Sequence, residues 1–216
     1  MRHTHPDFYF FCANTGSTEG LKALGRGYTD IAWTHLFDPE TGRYNTPFLE
    51  EYLPGINTVL VHLFRRELGI VTAPGNPRGI RGFDDLTAKG IQFVNRQAGS
   101  GTRLLLDYQL KKNGIPAEAI GGYDREVYTH VEVGLSVLSG EADAGLASVA
   151  VSRLMGLNFI TVTREEFDMV VGQSTYFSKG VQGLVEVLRS EGLRERFEKL
   201  GGYGFEDSGK ILYSTV

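Results

Sequence analysis

An α/β fold in two lobes is what the order of elements in this sequence predicts, and three observations predict it. Short apolar, β-branched stretches alternate with stretches of helical period along the whole chain, the pattern of interleaved strands and helices. The helical stretches end on glycine or proline, as at Gly114 with Pro116, at Gly140 and at Gly156, where a left-handed residue or a ring stops a helix. The 216 residues amount to about one and a half typical domains. Sharp breaks near residues 74–79 and 163–168, with no long linker, are the candidate hinges.

The elements follow in order. Residues 7–13 hold Phe8-Tyr9-Phe10-Phe11 and read as a core strand, with Cys12 as a buried small apolar residue. Asn14-Thr15-Gly16-Ser17-Thr18 leads into a short helix over 19–25, and 30–34 is a strand. Residues 38–45 are polar and turn-rich, and 47–53 is a helical turn. Residues 58–66 and 69–73 read as paired or consecutive strands, closed by Pro74-Gly75-Asn76-Pro77. A short helix opens at 83–86 and a strand runs over 91–95. The helix over 103–113 then carries Leu104, Leu105, Tyr108 and Leu110 mostly at helical spacing. A helix over 131–139, a small-residue strand at 142–145, a helix at 149–155 and strands at 159–162 and 167–171 complete the middle. Two amphipathic helices, 180–189 and 193–200, close the chain.

Composition narrows the function. Glycine is the outlier at 28 residues, roughly double its usual share of about 7%. Without a G-X-Y period this means tight turns and close backbone approaches, not collagen. Lys and Arg number 22 against 26 Asp and Glu, a net charge of −4. No basic run stands out, which argues against direct nucleic-acid binding. The single cysteine, Cys12, excludes an intrachain disulfide framework and a multi-cysteine zinc site. No apolar run reaches the roughly 18 residues of a membrane span, and MRHTHPDFYFF lacks the order of a secretion signal. The chain as written therefore reads as cytoplasmic and without membrane insertion, and as extracytoplasmic if a leader has been removed.

Two segments share one design. Asn14-Thr15-Gly16-Ser17-Thr18 and Gly99-Ser100-Gly101-Thr102-Arg103 each join a strand to a helix and set glycines and hydroxyls at the helix start. A helix start carries about half a positive charge and N–H groups without intrahelical acceptors, which suits an oxyanion. Ordinary N-capping explains the same residues. Tyr128-Thr129-His130 is a third, weaker start of this kind. Enzyme signatures are absent: no G-x-x-x-x-G-K-[ST], no G-x-S-x-G, no H-E-x-x-H and no G-x-G-x-x-G between strand and helix. A Ser100–His130 pair with an aspartate, and a metal on His3 and His5, are the remaining enzymatic and metal alternatives.

Asn95-Arg96-Gln97-Ala98-Gly99-Ser100-Gly101-Thr102-Arg103, Tyr128-Thr129-His130 and Ser139-Gly140-Glu141-Ala142-Asp143-Ala144-Gly145-Leu146 together resemble the periplasmic-binding-protein-like domain of the molybdate/tungstate-related group. Asn14–Thr18 and Val71-Thr72-Ala73-Pro74-Gly75-Asn76-Pro77 fit its pattern as well, so the likeness covers residues 6–210. Such domains occur as solute receptors, as effector domains of transcription regulators and as extensions of molybdopterin-biosynthesis proteins.

The resemblance implies a type-2 bilobed α/β fold with two chain crossings and a ligand cleft. Residues 1–79 with 165–216 would form lobe one, and 80–164 lobe two. Family members begin with a further strand and helix, so lobe one is expected to lack them or to receive them from an upstream region or a second copy in a homodimer. The implied function is non-catalytic binding of a small oxyanion, molybdate or tungstate, for uptake or sensing, with no other cofactor. Thr15, Ser17, Thr18, Ser100, Thr102 and Arg103 are the expected contacts, with Tyr128 and Thr129 as additions and Arg103–Asp107 pairing as the competing role of Arg103. The alternatives are a pterin-like or phosphorylated metabolite stacked on Phe37, Tyr44 or Tyr128, and, less favoured, a cryptic enzyme. An ABC permease or a DNA-binding domain would be the macromolecular partner.

Overall fold

Strands that carry apolar side chains on both faces must be covered on both, and this requirement organises each half of the chain. The computed structural model describes residues 8–215. Their elements are α1 (Ser17–Gly25), β1 (Ile31–Thr34), a hairpin of β2 (Phe37–Asp38) and β3 (Arg43–Tyr44), α2 (Pro47–Tyr52), β4 (Thr58–Thr72), β5 (Phe93–Arg96) and α3 (Gly101–Lys112). Then come β6 (Glu126–Val127), α4 (His130–Leu138), β7 (Ala144–Ser148), α5 (Val149–Met155), β8 (Asn158–Gly172), α6 (Gln173–Tyr176), α7 (Lys179–Arg189), α8 (Glu191–Leu200), β9 (Tyr203–Gly204) and β10 (Ile211–Ser214). No described helix is long and apolar enough to cross a membrane.

The chain divides into two compact units, with passages at Arg65/Arg66 and Glu165/Glu166. The first unit takes the chain up to Arg65, then Glu166–Lys199 and the stretch from Tyr203. There β1 pairs antiparallel with β8, Ile31 opposite Val171, and β10 pairs antiparallel with β4. Odd positions Val59, Val61 and Leu63 of β4 join Met169 and Val171 of β8 in one core, covered by Val181, Val185 and Leu188 of α7. Leu60, Val170 and Ala32 point the other way, onto Leu21 and Leu24 of α1 and Leu49 of α2. The helical spacing of Val181, Val185 and Leu188 is what gives α7 its single buried stripe.

The second unit, Arg66–Glu165 with Leu200–Gly202, repeats the plan. Strand β7 runs antiparallel to β4 and parallel to β5, which is parallel to β6. Ile70, Phe93, Ala144 and Leu146 form one core with Leu106 and Leu110 of α3. Val71, Val94 and Ala147 form the other with Val133 and Val137 of α4 and Val151 of α5. Gly145 is small for a reason: a Cβ there would stand 2.5 Å from Val133 Cγ1 and 2.9 Å from the Val94 carbonyl oxygen. Its absence lets α4 lie close on the sheet.

Several expectations change. Among residues 8–13 there is no strand; Tyr9 and Phe11 are 63% and 90% exposed, and Cys12 is exposed rather than buried. Strand propensity is a fit to a pleated, paired surface, and this stretch has no strand partner among the described residues. Residue 7, with His3 and His5, lies outside the described residues. Segments 58–66 and 69–73 are one strand, β4, and 159–162 and 167–171 are one strand, β8. Residues 66–79 pack with the second unit, because Ile70 and Ile80 belong to its core.

Candidate functional site

The site grows from the end of β5 in the second unit. Phe93 and Val94 are buried among apolar neighbours, and the strand then runs directly into Asn95, Arg96 and Gln97, all buried as well. Gln97 N–H donates to the Val127 carbonyl (3.1 Å), and Gly99 takes φ 78°, a conformation glycine adopts without strain. That turn aims the chain into α3. Ser100 caps the helix, its Oγ accepting from Arg103 N–H at 3.1 Å, so the first-turn N–H groups of Gly101 and Thr102 are left without intrahelical acceptors. Ligands of parallel α/β units sit at this end of the strands, where helix starts gather.

Two buried donors here have no partner. Thr102, 1% exposed, has an unbonded Oγ1, and Gln97, 7% exposed, has an unbonded Nε2. An unmade bond at such a group costs about 1–3 kcal/mol, so these atoms are the clearest sign of a missing acceptor. The Gln97 amide is oriented by chemistry. Arg96 Nε lies 3.2 Å from Gln97 Oε1, and a guanidinium offers only donors, so the amide oxygen must face it and the NH2 must face away.

Arg96 itself is 8% exposed and donates Nη2–H to the Tyr128 carbonyl at 2.7 Å. Burial first, and the neighbouring Arg66 charge second, push its pKa down to about 10; Glu165 and Glu132 offset part of this. It remains protonated at neutral pH. Arg66 is paired, its Nε donating to buried Glu165 at 2.8 Å, with Nη2 3.3 Å from His130 Nε2. His130 Nδ1 accepts from Ser148 N–H at 3.1 Å.

The expected contacts fall into different settings. Ser100 and Thr102 are brought together with Arg96 and Gln97 at the α3 start. Arg103 turns to its own neighbours: Nε to Asp107 (3.1 Å), Nη1 to Glu126 (3.0 Å), and the guanidinium 4.1 Å over the Tyr123 ring. Burial is the largest single influence and lowers its pKa, but the Tyr123 contact and then the Asp107 charge together outweigh it and raise the pKa. Thr129 caps α4, its Oγ1 accepting from Glu132 N–H, while Tyr128 is 61% exposed and its own N–H donates to Glu132 Oε2. Of the Ser100–His130 alternative, Ser100 Oγ accepts from Arg103 N–H, while His130 meets Ser148 N–H and Arg66.

In the first unit Gly16 precedes α1 at φ 85°, ψ 162°, a region open essentially to glycine alone. Ser17 behind it is buried; its Oγ accepts from His35 N–H at 3.3 Å and lies 3.1 Å from His35 Nδ1. Thr18 is buried and Thr15 is exposed. Sequence reasoning overlooked Arg96, Gln97 and His35. The available signal was three polar residues placed directly after two β5 residues of a two-sided core.

Comparison with known proteins bears on the family and the fold. Over 200 residues the chain is 34% identical to YvgK, an uncharacterized protein of Bacillus subtilis strain 168, covering 93% of this chain and 64% of that protein. The chain thus spans just under two thirds of that relative's length. Its fold is similar to that of a putative phosphate ABC transporter substrate-binding protein with bound phosphate from Clostridium perfringens. The TM-score is 0.64 at 16% identity, over 92% of this chain and 88% of that one. It is also similar to the tungstate ABC transporter from Geobacter sulfurreducens, with TM-score 0.60 and 15% identity over 85% and 82% of the two chains. These likenesses establish an α/β fold of the type-2 periplasmic-binding-protein class. Residues 1–189 match the PBP superfamily domain, and the chain belongs to the PBP superfamily.

Proposed function

We propose that the chain is a non-catalytic receptor for a small tetrahedral oxyanion, molybdate or tungstate, serving uptake or ligand sensing. The observation that carries this reading is the pair of buried, unbonded donors, Thr102 Oγ1 and Gln97 Nε2, beside the first turn of α3. An anion accepting from them and from the Gly101 and Thr102 N–H groups would give each of these four donors a partner. The character of the set favours a fully ionised anion. Molybdate and tungstate present only acceptor oxygens at neutral pH, whereas phosphate still shares a proton that needs an acceptor of its own. Carboxylates around the α3 and α4 starts are engaged: Glu165 with Arg66, Glu126 with Arg103 and Glu132 with the Tyr128 N–H. The tungstate protein from Geobacter sulfurreducens, similar in fold, lends this reading support.

Ser100 holds the turn, and Ser17 and Thr18 carry like chemistry at the α1 start. The test is a thermal-shift series with tungstate, molybdate, sulfate and phosphate at millimolar concentration. Tungstate and molybdate are expected to raise the melting temperature, and Ser100→Ala to reduce the rise. Absence of a shift with all four anions removes the proposal. Ser17→Ala, Thr15→Ala, Thr18→Ala, Tyr128→Ala and Thr129→Ala, compared in the same assay, sort the other expected contacts into those that touch the anion and those that cap helices.

A further inference from the structure

We propose that Arg96, and not Arg103, is the cation of this site, and that it sets a preference for doubly over singly charged anions while holding the Gln97 amide ready to donate. This rests on the oxyanion reading above.

The argument begins with charge pairing. A buried cation is normally met by a carboxylate, because removing it from water costs several kcal/mol that only a counter-charge and hydrogen bonds offset. Two of the three arginines around the α3 and α4 starts obey this rule: Arg66 has Glu165 at 2.8 Å, and Arg103 has Glu126 at 3.0 Å and Asp107 at 3.1 Å. Arg96 does not. It is the most buried of the three, yet its hydrogen bonds go only to neutral oxygens, Gln97 Oε1 and the Tyr128 carbonyl, and it forms no ion pair with any described carboxylate. Burial and the neighbouring Arg66 charge lower its pKa, and Glu165 and Glu132, which form no ion pair with it, offset only part of this.

A guanidinium buried without a carboxylate partner, two unbonded buried donors and a helix start, gathered within residues 96–102, offer three kinds of attraction to one anion. The bond from Arg96 Nε to Gln97 Oε1 joins the first of these to the second. By claiming the amide oxygen it leaves Nε2 facing away with both hydrogens to give. Arg96 therefore acts twice, by field on the anion and by position on Gln97.

The test uses two tetrahedral oxyanions of like shape that differ in charge, tungstate (2−) and perrhenate (1−), with affinities measured calorimetrically at fixed ionic strength. The wild-type chain is expected to prefer tungstate by about 30-fold or more, the scale of a charge-assisted contact in a dry site. Arg96→Gln, which keeps the length and loses the charge, is expected to shrink that ratio to within about threefold of unity. Arg96→Lys keeps the charge but loses the planar hold on Gln97, so both affinities are expected to fall while the ratio persists. Arg103→Gln is expected to leave the ratio at its wild-type value. A purely structural role for Arg96 would weaken both anions equally and leave the ratio untouched.

The inference is overturned if Arg96→Gln keeps the tungstate preference, if Arg96→Lys abolishes it, or if Arg103→Gln abolishes it. Should Arg96→Gln not fold, Arg96→Met, which also removes the charge at similar length, is read for the same collapse of the ratio, and a persisting tungstate preference there overturns the inference equally. If the wild-type chain binds neither ion, the oxyanion reading fails and this inference fails with it, a result distinct from binding without charge preference.

Discussion

Replacing Thr102 by valine exchanges a hydroxyl for a methyl group of nearly the same shape, and the site geometry gives the change two opposite signs. The hydroxyl is 1% exposed and its Oγ1 has no hydrogen-bond partner. A buried polar group in that state costs about 1–3 kcal/mol, so the methyl group is expected to return about 1–2 kcal/mol. Helix propensities of Thr and Val are close, so the backbone adds little. For a chain of this size 1 kcal/mol moves the melting temperature by roughly 2–4 °C, giving an expected rise of about 2–8 °C without ligand. With tungstate the sign reverses. A hydrogen bond to a charged acceptor contributes about 1.5–3 kcal/mol, so affinity falls by roughly 10–150-fold and the ligand-induced rise shrinks accordingly. Differential scanning fluorimetry over a tungstate titration reads both effects in one experiment. A lower ligand-free melting temperature together with unchanged tungstate affinity would refute the reasoning, because the hydroxyl would then be a satisfied structural group.

Other expectations concern the frame around the site. Asn45, fully buried at φ 58°, accepts from Thr34 Oγ1 and Leu36 N–H and donates to Asp168, which also meets His62 at 2.7 Å. Asn45→Ala orphans these groups and is expected to cost about 3–5 kcal/mol, read as a lower urea midpoint at constant slope. Gly69→Ala would put a Cβ 2.3 Å from the Ile160 carbonyl oxygen and 2.6 Å from the Phe159 ring; a loss of about 2 kcal/mol or more is expected in the same assay. Arg103→Gln breaks pairs with the half-exposed Asp107 and Glu126, so about 1 kcal/mol or less is expected from equilibrium unfolding. The Asp38 carboxyl is held below its usual pKa by the Thr41 hydroxyl and the Glu40 N–H. Its folded value is depressed, so its contribution is present above pH 4 and fades as pH falls further; loss of the Thr41 hydroxyl by Thr41→Val should raise that pKa in an NMR titration.

Periodicity and punctuation made much of this fold legible. The glycine and proline stops marked the ends of α3, α4 and α5, and the glycine–hydroxyl segments around Gly16 and Gly101 marked the two helix starts. Long strands were harder. Arg65-Arg66-Glu67 and Arg164-Glu165-Glu166 interrupt apolar runs and look like breaks. In the structure they are cross-strand partners inside β4 and β8, with Arg65 on Glu166, Arg66 on Glu165 and Arg164 on Glu67. Charge complementarity between segments about 100 residues apart carries no local signature. Phe8–Phe11 misled in the opposite sense, since these strand-forming residues find no partner strand among the described residues and Tyr9 and Phe11 stay exposed. At the site, hydroxyls and glycines gave themselves away by their place at a helix start, and Arg103 drew attention by standing beside them. Arg96 was harder to see, because hydrogen bonds to neutral oxygens in place of a carboxylate leave no mark in the local sequence.

The forced orientation of the Gln97 amide has a consequence for how easily this site can be silenced. Exchanging one nitrogen for one oxygen, Gln97→Glu, keeps every heavy-atom position and hands Arg96 a carboxylate within the same chain. The wall of the site would become its own occupant, tethered and present at a concentration no free oxyanion reaches. A chain so altered should fold as well as before, melt higher and ignore tungstate, so that a single-atom lesion of the kind deamidation produces would leave a sound protein deaf to its ligand.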